Sequence, residues 1–404
     1  MNSIALVQQA FREHYTKGFS FSESLLMIEK REFGFALFEG WMLRHKSFHT
    51  KNELMLFLEG IVPRDVYLSC AYYEDPEAEM EKKGWLGADL IFDIDADHIP
   101  TSCDKVHDQW ICGKCGFAGK GVAPENCPVC GSEKFDESTW PCEACLASAK
   151  YETQKLCDML MKDFGFSDRE IRVFFSGHRG YHVHVDDEAV RDLDSVARKE
   201  IVDYVYGLGL GVPFQGLDEK GVNMLSLNDP GWRGRVAKGV HDFASDAQEE
   251  DYRRMGLRRN VTEAIVKNRM AILRNLSKSG PWDTIKGVGP ETWKKVIEHS
   301  VISQSASVDT VVTTDTHRLI RLGGTLHGKT GLKKTEFPVR EMNDFDPFKS
   351  AIALMEGTAT VLVSSAPRFR LGDQTFGPYK NLKVEVPTAA AVLLVCRKRA
   401  EVVE

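Results

Sequence analysis

The cysteines of this 404-residue chain are unevenly spread: seven of the ten fall between Cys103 and Cys145. That stretch is rich in Gly and Pro and has no apolar period, so side-chain burial cannot hold it together and a staple is required. The N-terminal MNSIALVQQAFREHY lacks a basic region followed by an apolar stretch, which predicts a cytoplasmic location. In a reducing compartment, clustered thiols are read as metal ligands rather than disulfides. Cys112-x2-Cys115 and Cys127-x2-Cys130 have the spacing of a zinc ribbon, with Gly116 and Gly131 after each pair. Four thiolates at that spacing complete a tetrahedral Zn²⁺ site. Cys103, His107, Cys142 and Cys145 flank the ribbon and predict a second, Cys₃His site. Full protein ligand sets leave no position for water, so both sites read as structural. Cys70, Cys157 and Cys396 read as small core residues.

The length suggests two or three domains. An N-terminal amphipathic helix precedes a hairpin of REFGFALF (31–38) and GWMLRHKSF (40–48), then a strand at 65–73. Further strands are predicted at 88–97, 171–175 and 181–185, with helices over 144–164 and roughly 188–208. From 246 to 302 the pattern is helical and polar. Strand-like text resumes at VDTVVTT (308–314), ATVLVSS (359–365) and AAAVLLVC (389–396). The longest clear apolar run, 389–396, is far below the ~20 residues of a membrane span. Net charge is −7, so any anionic partner must meet a local basic patch.

ADLIFDIDAD (88–97) carries the sharpest chemical signal. Asp93 and Asp95 are two apart on a strand and project from one face. Two carboxylates held so close repel, and a divalent cation between them relieves the cost. Hard oxygen ligands suit Mg²⁺ or Mn²⁺, and this layout fits two-metal phosphoryl transfer. The plain alternative is a solvated strand exit, against which stands the buried apolar run Leu90–Phe92. A third acid is expected from 308–322, either Asp309 or Asp315, which share a face if that segment is a strand.

SGHRGYHVHV (176–185) reads as strand–turn–strand with Arg179 at the tip and His182 and His184 on one face. Ser176, Arg179 and His182 form a candidate triphosphate cradle, since a guanidinium fork matches phosphate oxygens. A hairpin with a surface Arg and a packed His is the plain alternative; a metal site on His182 and His184 lacks a matching acid. HRLIRLGGTLHGKTGLKK (317–334) holds seven basic or His residues and no acid, a local field suited to phosphates. Gly323 to Thr330 match the letters of a Walker A loop, but a P-loop must open into a helix, and the text after it reads as extended.

The chain resembles, over essentially its whole length, the small catalytic subunit of the archaeal and eukaryotic type of DNA primase. The resemblance rests on REFGF (31–35), FDIDAD (92–97), SGHRGYH (176–182), HRLIRLGGTLHGKTG (317–331) and VEVPTAAAVLL (384–394). It implies an α+β fold: a primase core of antiparallel and mixed sheets at 1–102, 146–215 and 305–404. It also implies a zinc knuckle, here at 103–145 and interrupted by the ribbon, and a helical subdomain at 216–304. The implied activity is synthesis of short RNA or DNA primers on single-stranded DNA from nucleoside triphosphates, for replication. Asp93, Asp95 and Asp309 match the metal-binding acids, Asp309 because it keeps the family's distance to HGKTG. Ser176, Arg179, His182, Arg321 and His327 match nucleotide contacts, with Arg44 and Arg64 less closely matched. Cys103, His107, Cys142 and Cys145 look like the family knuckle, although a whole ribbon is inserted within it. Gly323 stands where many members have Pro. The implied partner is a large primase subunit. The competing readings are a primase-polymerase of repair or end joining and a non-catalytic zinc-ribbon protein that binds nucleic acid.

Overall fold

In a computed structural model, residues 2–21, 25–210, 225–278 and 285–403 are described. The domain boundary expected at 215/216 lies outside them. Two compact units form: residues 1–153, 167–198 and 308–404 make the first, and 154–166 with 199–307 the second. The fold is α+β. No helix among the described residues is long and apolar enough to cross a membrane.

Two four-stranded antiparallel sheets organise the first unit. One runs in the order Leu319–Arg321, Asp65–Ser69, Phe33–Ala36, Met42–Lys46. Its apolar face packs on helices Ser3–Glu13 and Lys51–Ile61 through Phe11, Phe33, Phe35, Leu54, Leu58 and Val66. Thr50 caps the second helix by accepting the Glu53 N–H at 3.2 Å, which satisfies one of its open donors.

The other sheet runs Thr335–Phe337, Ile171–Phe175, Gly180–Val185, Leu90–Asp95. Leu90, Phe92 and Ile94 are buried, so the period of two leaves Asp93 and Asp95 on the opposite face. Register pairs Asp93 with His182 and Asp95 with Gly180. Gly180 permits this close approach: a Cβ there would lie 2.3 Å from the Ile94 carbonyl oxygen. The chain after His327 enters no helix. Leu326 bridges to Lys333 and strand Thr335–Phe337 follows, which removes the P-loop reading.

Two segments expected as strands are helices. Residues Thr310–Thr314 form a short helix although all five are β-branched. Asp309 caps it, its Oδ1 accepting the Val311 and Val312 N–H groups at 2.8 and 3.3 Å, so the cap overrides propensity. Thr388–Cys396 is also helical, with Ala390–Leu394 all buried. A run buried on every side has no period to reveal its type, and its alanines favour the helix. It packs on helix Ser3–Glu13 and strand Thr358–Ala366.

The cysteine-rich segment builds a three-stranded sheet, with Gln109–Cys112 between Ala118–Lys120 and Phe135–Ser138. Trp110 packs against Phe117 and Phe135. In the second unit, helix Gly231–Asp246 packs on Pro290–Gln304 and Arg269–Ser277. Arg235 from that helix pairs with Asp158 at 3.0 Å and Asp163 at 2.6 Å.

Gly180→Ala is expected to destabilise the protein by about 2 kcal/mol or more, because the methyl group must displace backbone rather than a flexible side chain. Urea unfolding measures this; an unchanged midpoint would show that the acid strand can move away at no cost.

Candidate active site and metal centres

The acid strand and the helix capped by Asp309 meet through the backbone. The Asp309 N–H donates to the Asp93 carbonyl at 2.8 Å. This brings a third carboxylate beside the pair, and the charge of Asp309 helps raise the pKa of Asp93. Burial is the first cause of that rise, followed by Asp95 and Asp309, and together they push Asp93 up to about 7. Asp95 is also raised by burial, opposed by Arg179, His98 and Lys329. The three carboxylates are more widely set than the two Cys/His groups, which are the sets with ligand atoms all within 4.8 Å among the described residues. Asp315 is not among the charges that act on Asp93, although its partner Arg318, 4.0 Å away, is. It lines a cleft of about 560 Å³ with Arg44, Arg64, Trp41, His317 and Arg318.

Two Gly-rich loops lie beside the acids. In the first, the Ser176 Oγ accepts the N–H groups of His178 and Gly180 at 3.3 and 3.2 Å. In the second, the His327 N–H donates to the Leu332 carbonyl at 2.8 Å. Thr330 Oγ1 donates to the Gly177 carbonyl at 2.5 Å, and the His178 and His327 rings stack at 5.2 Å. Gly177 has φ +89°, and a Cβ there would lie 2.9 Å from the His327 Cβ. The loops therefore brace each other.

His182 lies next to Asp93, Nε2 to Oδ1 3.5 Å. Burial holds its pKa well below the usual range, and Lys334 and Arg321 add to this. The ring is therefore neutral near pH 7, able to donate or accept a hydrogen bond without adding charge. Its Nδ1 has no partner among the described residues.

Arg321, at the end of its strand, and Arg179, in the first loop, are buried in ion pairs. Arg321 NH1 meets Asp65 Oδ1 at 2.6 Å, and the same oxygen accepts the Gly328 N–H at 2.7 Å. Arg179 is 1% exposed and pairs with Asp97 and, at 2.7 Å, with Asp108. This removes the plain alternative of a surface Arg at the loop tip: the acids of neighbouring segments draw the guanidinium inward. Arg44 and Arg64 stay about two-fifths exposed, on Glu32 at 2.9 Å and Asp65 at 3.0 Å.

Both cysteine sets are assembled. His107 Nε2 lies 3.4, 3.0 and 3.6 Å from the Sγ atoms of Cys103, Cys142 and Cys145. Cys103 Sγ lies 3.7 and 3.5 Å from those of Cys142 and Cys145. In the ribbon, Cys112–Cys130 and Cys115–Cys127 are each separated by 3.6 Å. Sulfurs ~2.3 Å from one tetrahedral centre are about 3.7 Å apart, so each set could hold a zinc ion.

Sequence reasoning passed over Asp108. Its Oδ1 lies 2.8 Å from His107 Nδ1 and accepts the Trp140 N–H at 2.8 Å, while its Oδ2 holds Arg179. A carboxylate behind a metal-binding histidine fixes its tautomer and orientation, and here it also ties the knuckle to the first loop. Its place directly after His107 was the available signal. Lys329, exposed beside His327, was noticed only as part of the basic run.

The class of protein follows from comparison with known chains. Residues 133–339 match the family model described as DNA primase small subunit, a family of DNA-directed RNA/DNA polymerases, that is, nucleotidyltransferases. The match continues through the acid strand in whole-length relatives, each named DNA primase small subunit PriS. The relative from Nitrosopumilus maritimus is 32% identical over 99% of this chain and 98% of its own. That from Methanococcoides burtonii is 34% identical over 93% and 92%, and that from Archaeoglobus fulgidus 34% over 97% and 96%. The chain belongs to the DNA primase small-subunit family.

Metal analysis of the purified protein is expected to give two zinc ions per chain, and Cys142→Ser is expected to give one. A single zinc in the unsubstituted chain would leave one set without its metal. The raised Asp93 carboxyl predicts a pH effect as well. The folded chain keeps that proton up to about pH 7, whereas the unfolded one releases it near the ordinary 3.8. Its contribution to stability is thus present below pH ~4 and lost as pH rises through 7. In magnesium- and manganese-free buffer, Asp93→Asn should flatten the fall in urea midpoint between pH 5 and 8 that this group causes. Parallel profiles for the two proteins would contradict the assignment.

Proposed function

We propose that this chain is the catalytic subunit of a DNA primase. In this reading it makes short RNA or DNA primers on single-stranded DNA template from nucleoside triphosphates, for replication, by two-metal nucleotidyl transfer. The approach of Asp309 to the Asp93/Asp95 strand is the observation that carries it. Three carboxylates at one sheet edge repel, and Asp93 already holds its proton to about pH 7; such a site is built for cations. Asp93, Asp95 and Asp309 would hold Mg²⁺ or Mn²⁺. When bound, these ions favour loss of the proton from the attacking 3′-hydroxyl and stabilise the pyrophosphate leaving group.

The chain's own groups do the positioning. Ser176 shapes the first loop, and His327 and Lys329 present the second toward the phosphates. Neutral His182 stands beside Asp93 as a hydrogen-bonding group. Arg321 and Arg179, held by Asp65 and Asp108, keep the two loops at fixed height and add positive potential without leaving their partners. Arg44 and Arg64 contact nucleotide or strand from the neighbouring cleft. A large primase subunit completes the enzyme as a heterodimer.

Dinucleotide synthesis on a single-stranded template tests this. Asp95→Asn and Asp309→Asn are each expected to cost roughly 10²–10³-fold, the scale of losing one preorganised charge-stabilising group. Full activity in either variant would remove that residue from the site. Asp315→Asn should retain activity; if it alone is inactive, the third acid is Asp315.

A further inference from the structure

The ribbon has no part in the chemistry above, yet it forms one wall of a cleft. About 580 Å³ opens between its sheet and the end of helix Thr388–Cys396. Arg397 and Arg399 line the cleft and are each 5% exposed. The Nε of both and NH2 of Arg399 have no hydrogen-bond partner among the described residues. Their side-chain hydrogen bonds go to neutral groups: Arg399 NH1 donates to Gln109 Oε1, and Arg397 NH2 reaches Thr139 Oγ1 at 3.5 Å. Buried guanidinium donors left open are unfavourable unless an anion completes them. The two arginines also repel: burial and then Arg399 bring Arg397 down to about 10.

Lys120 from the ribbon, Lys329 from the second loop and Lys398 add three further cations. Asp136 and Glu137 are the acids in the lining, and Lys398 Nζ approaches Asp136 Oδ2 at 3.8 Å. Behind the lining, the buried Asp108, already paired with Arg179, partly offsets the charge of both arginines. Trp110 stands along the wall with its Nε1 unpartnered. Five cations against two acids, in a chain of net charge −7, make a site for a polyanion. Their spread over three separate segments suits an extended strand rather than a compact triphosphate. Lys329 makes the cleft continuous with the loop that carries His327.

We propose that this cleft binds the phosphodiester backbone of a stretch of single-stranded template, with the inserted ribbon as one wall. It rests on the template-directed reading above and adds to it a second contact with the strand.

Fluorescence anisotropy of the full chain with a labelled single-stranded oligodeoxynucleotide tests this. Lys120→Gln/Lys398→Gln alters only surface side chains and should weaken binding roughly fivefold. It should also lower the slope of log affinity against log salt by about 1.4, at ~0.7 for each phosphate no longer neutralised. Arg399→Gln, with its zinc content verified, should weaken binding further. Unchanged affinity and slope in the lysine pair would overturn the proposal whether or not Arg399→Gln folds. An equal loss of nucleoside triphosphate binding, measured without template, would overturn it in favour of a triphosphate site. Metal-dependent incorporation of labelled nucleotide by the unsubstituted chain reports separately on the polymerase reading. A chain that binds DNA through these lysines but incorporates nothing defeats that reading and leaves the cleft standing.

Discussion

The pairing of strand Leu90–Asp95 with Gly180–Val185 is the constraint on which the candidate active site depends. Every carboxylate at the sheet edge costs free energy: burial first, then the charges of Asp95 and Asp309, raise the pKa of Asp93. The strand stays in place because its apolar side is buried in the sheet and its ladder is continuous from Leu90 to Asp95. Gly180 lets the neighbouring strand approach closely enough to complete the ladder. The Asp309 N–H then fastens to the carbonyl of Asp93 itself. Backbone bonds hold the acids together while their side chains push apart.

Two buried ion pairs extend that frame to the loops. Asp65 receives Arg321, Arg64 and the Gly328 N–H. Asp108 receives Arg179, the Trp140 N–H and His107. Removing one partner from such a pair leaves an uncompensated buried charge, which is far costlier than the pair is stabilising. The pairs therefore act as clips that fix loop position. The second clip also ties the cysteine segment to the first loop, since Asp108 joins His107 to Arg179.

The ribbon obeys a different logic. Its three short strands bury little beyond Trp110, and Gly119 is what makes room for that ring. Where a core is missing, four cysteines gather into a set that could hold zinc, the kind of staple small domains use. The segment brings Lys120 and Trp110 to the cleft where the Nε atoms of Arg397 and Arg399 have no hydrogen-bond partner among the described residues.

Local patterns were enough for much of this. The period of two in LIFDID gave a buried strand bearing two acids, the cysteine spacings gave two ligand sets, and the apolar stripe from Leu146 to Leu160 gave the helix Glu143–Lys162. The strand and the helix depend on residues a few positions apart, whose geometry the backbone repeat dictates, and the ligand sets were legible from the close spacing within each pair of ligands. Thr310–Thr314 and Thr388–Cys396 escaped because a cap and all-round burial, not periodicity, decide them. The partners of Arg179 and Arg321 lie 71 and 256 residues away, and no local pattern encodes a meeting between segments so remote. Sequence alone thus determined which side chains carry charge and on which face of their own element they stand. The tertiary structure decided which charges neutralise one another and which are left open, because electrostatic pairing depends on distance in space and on exclusion of water.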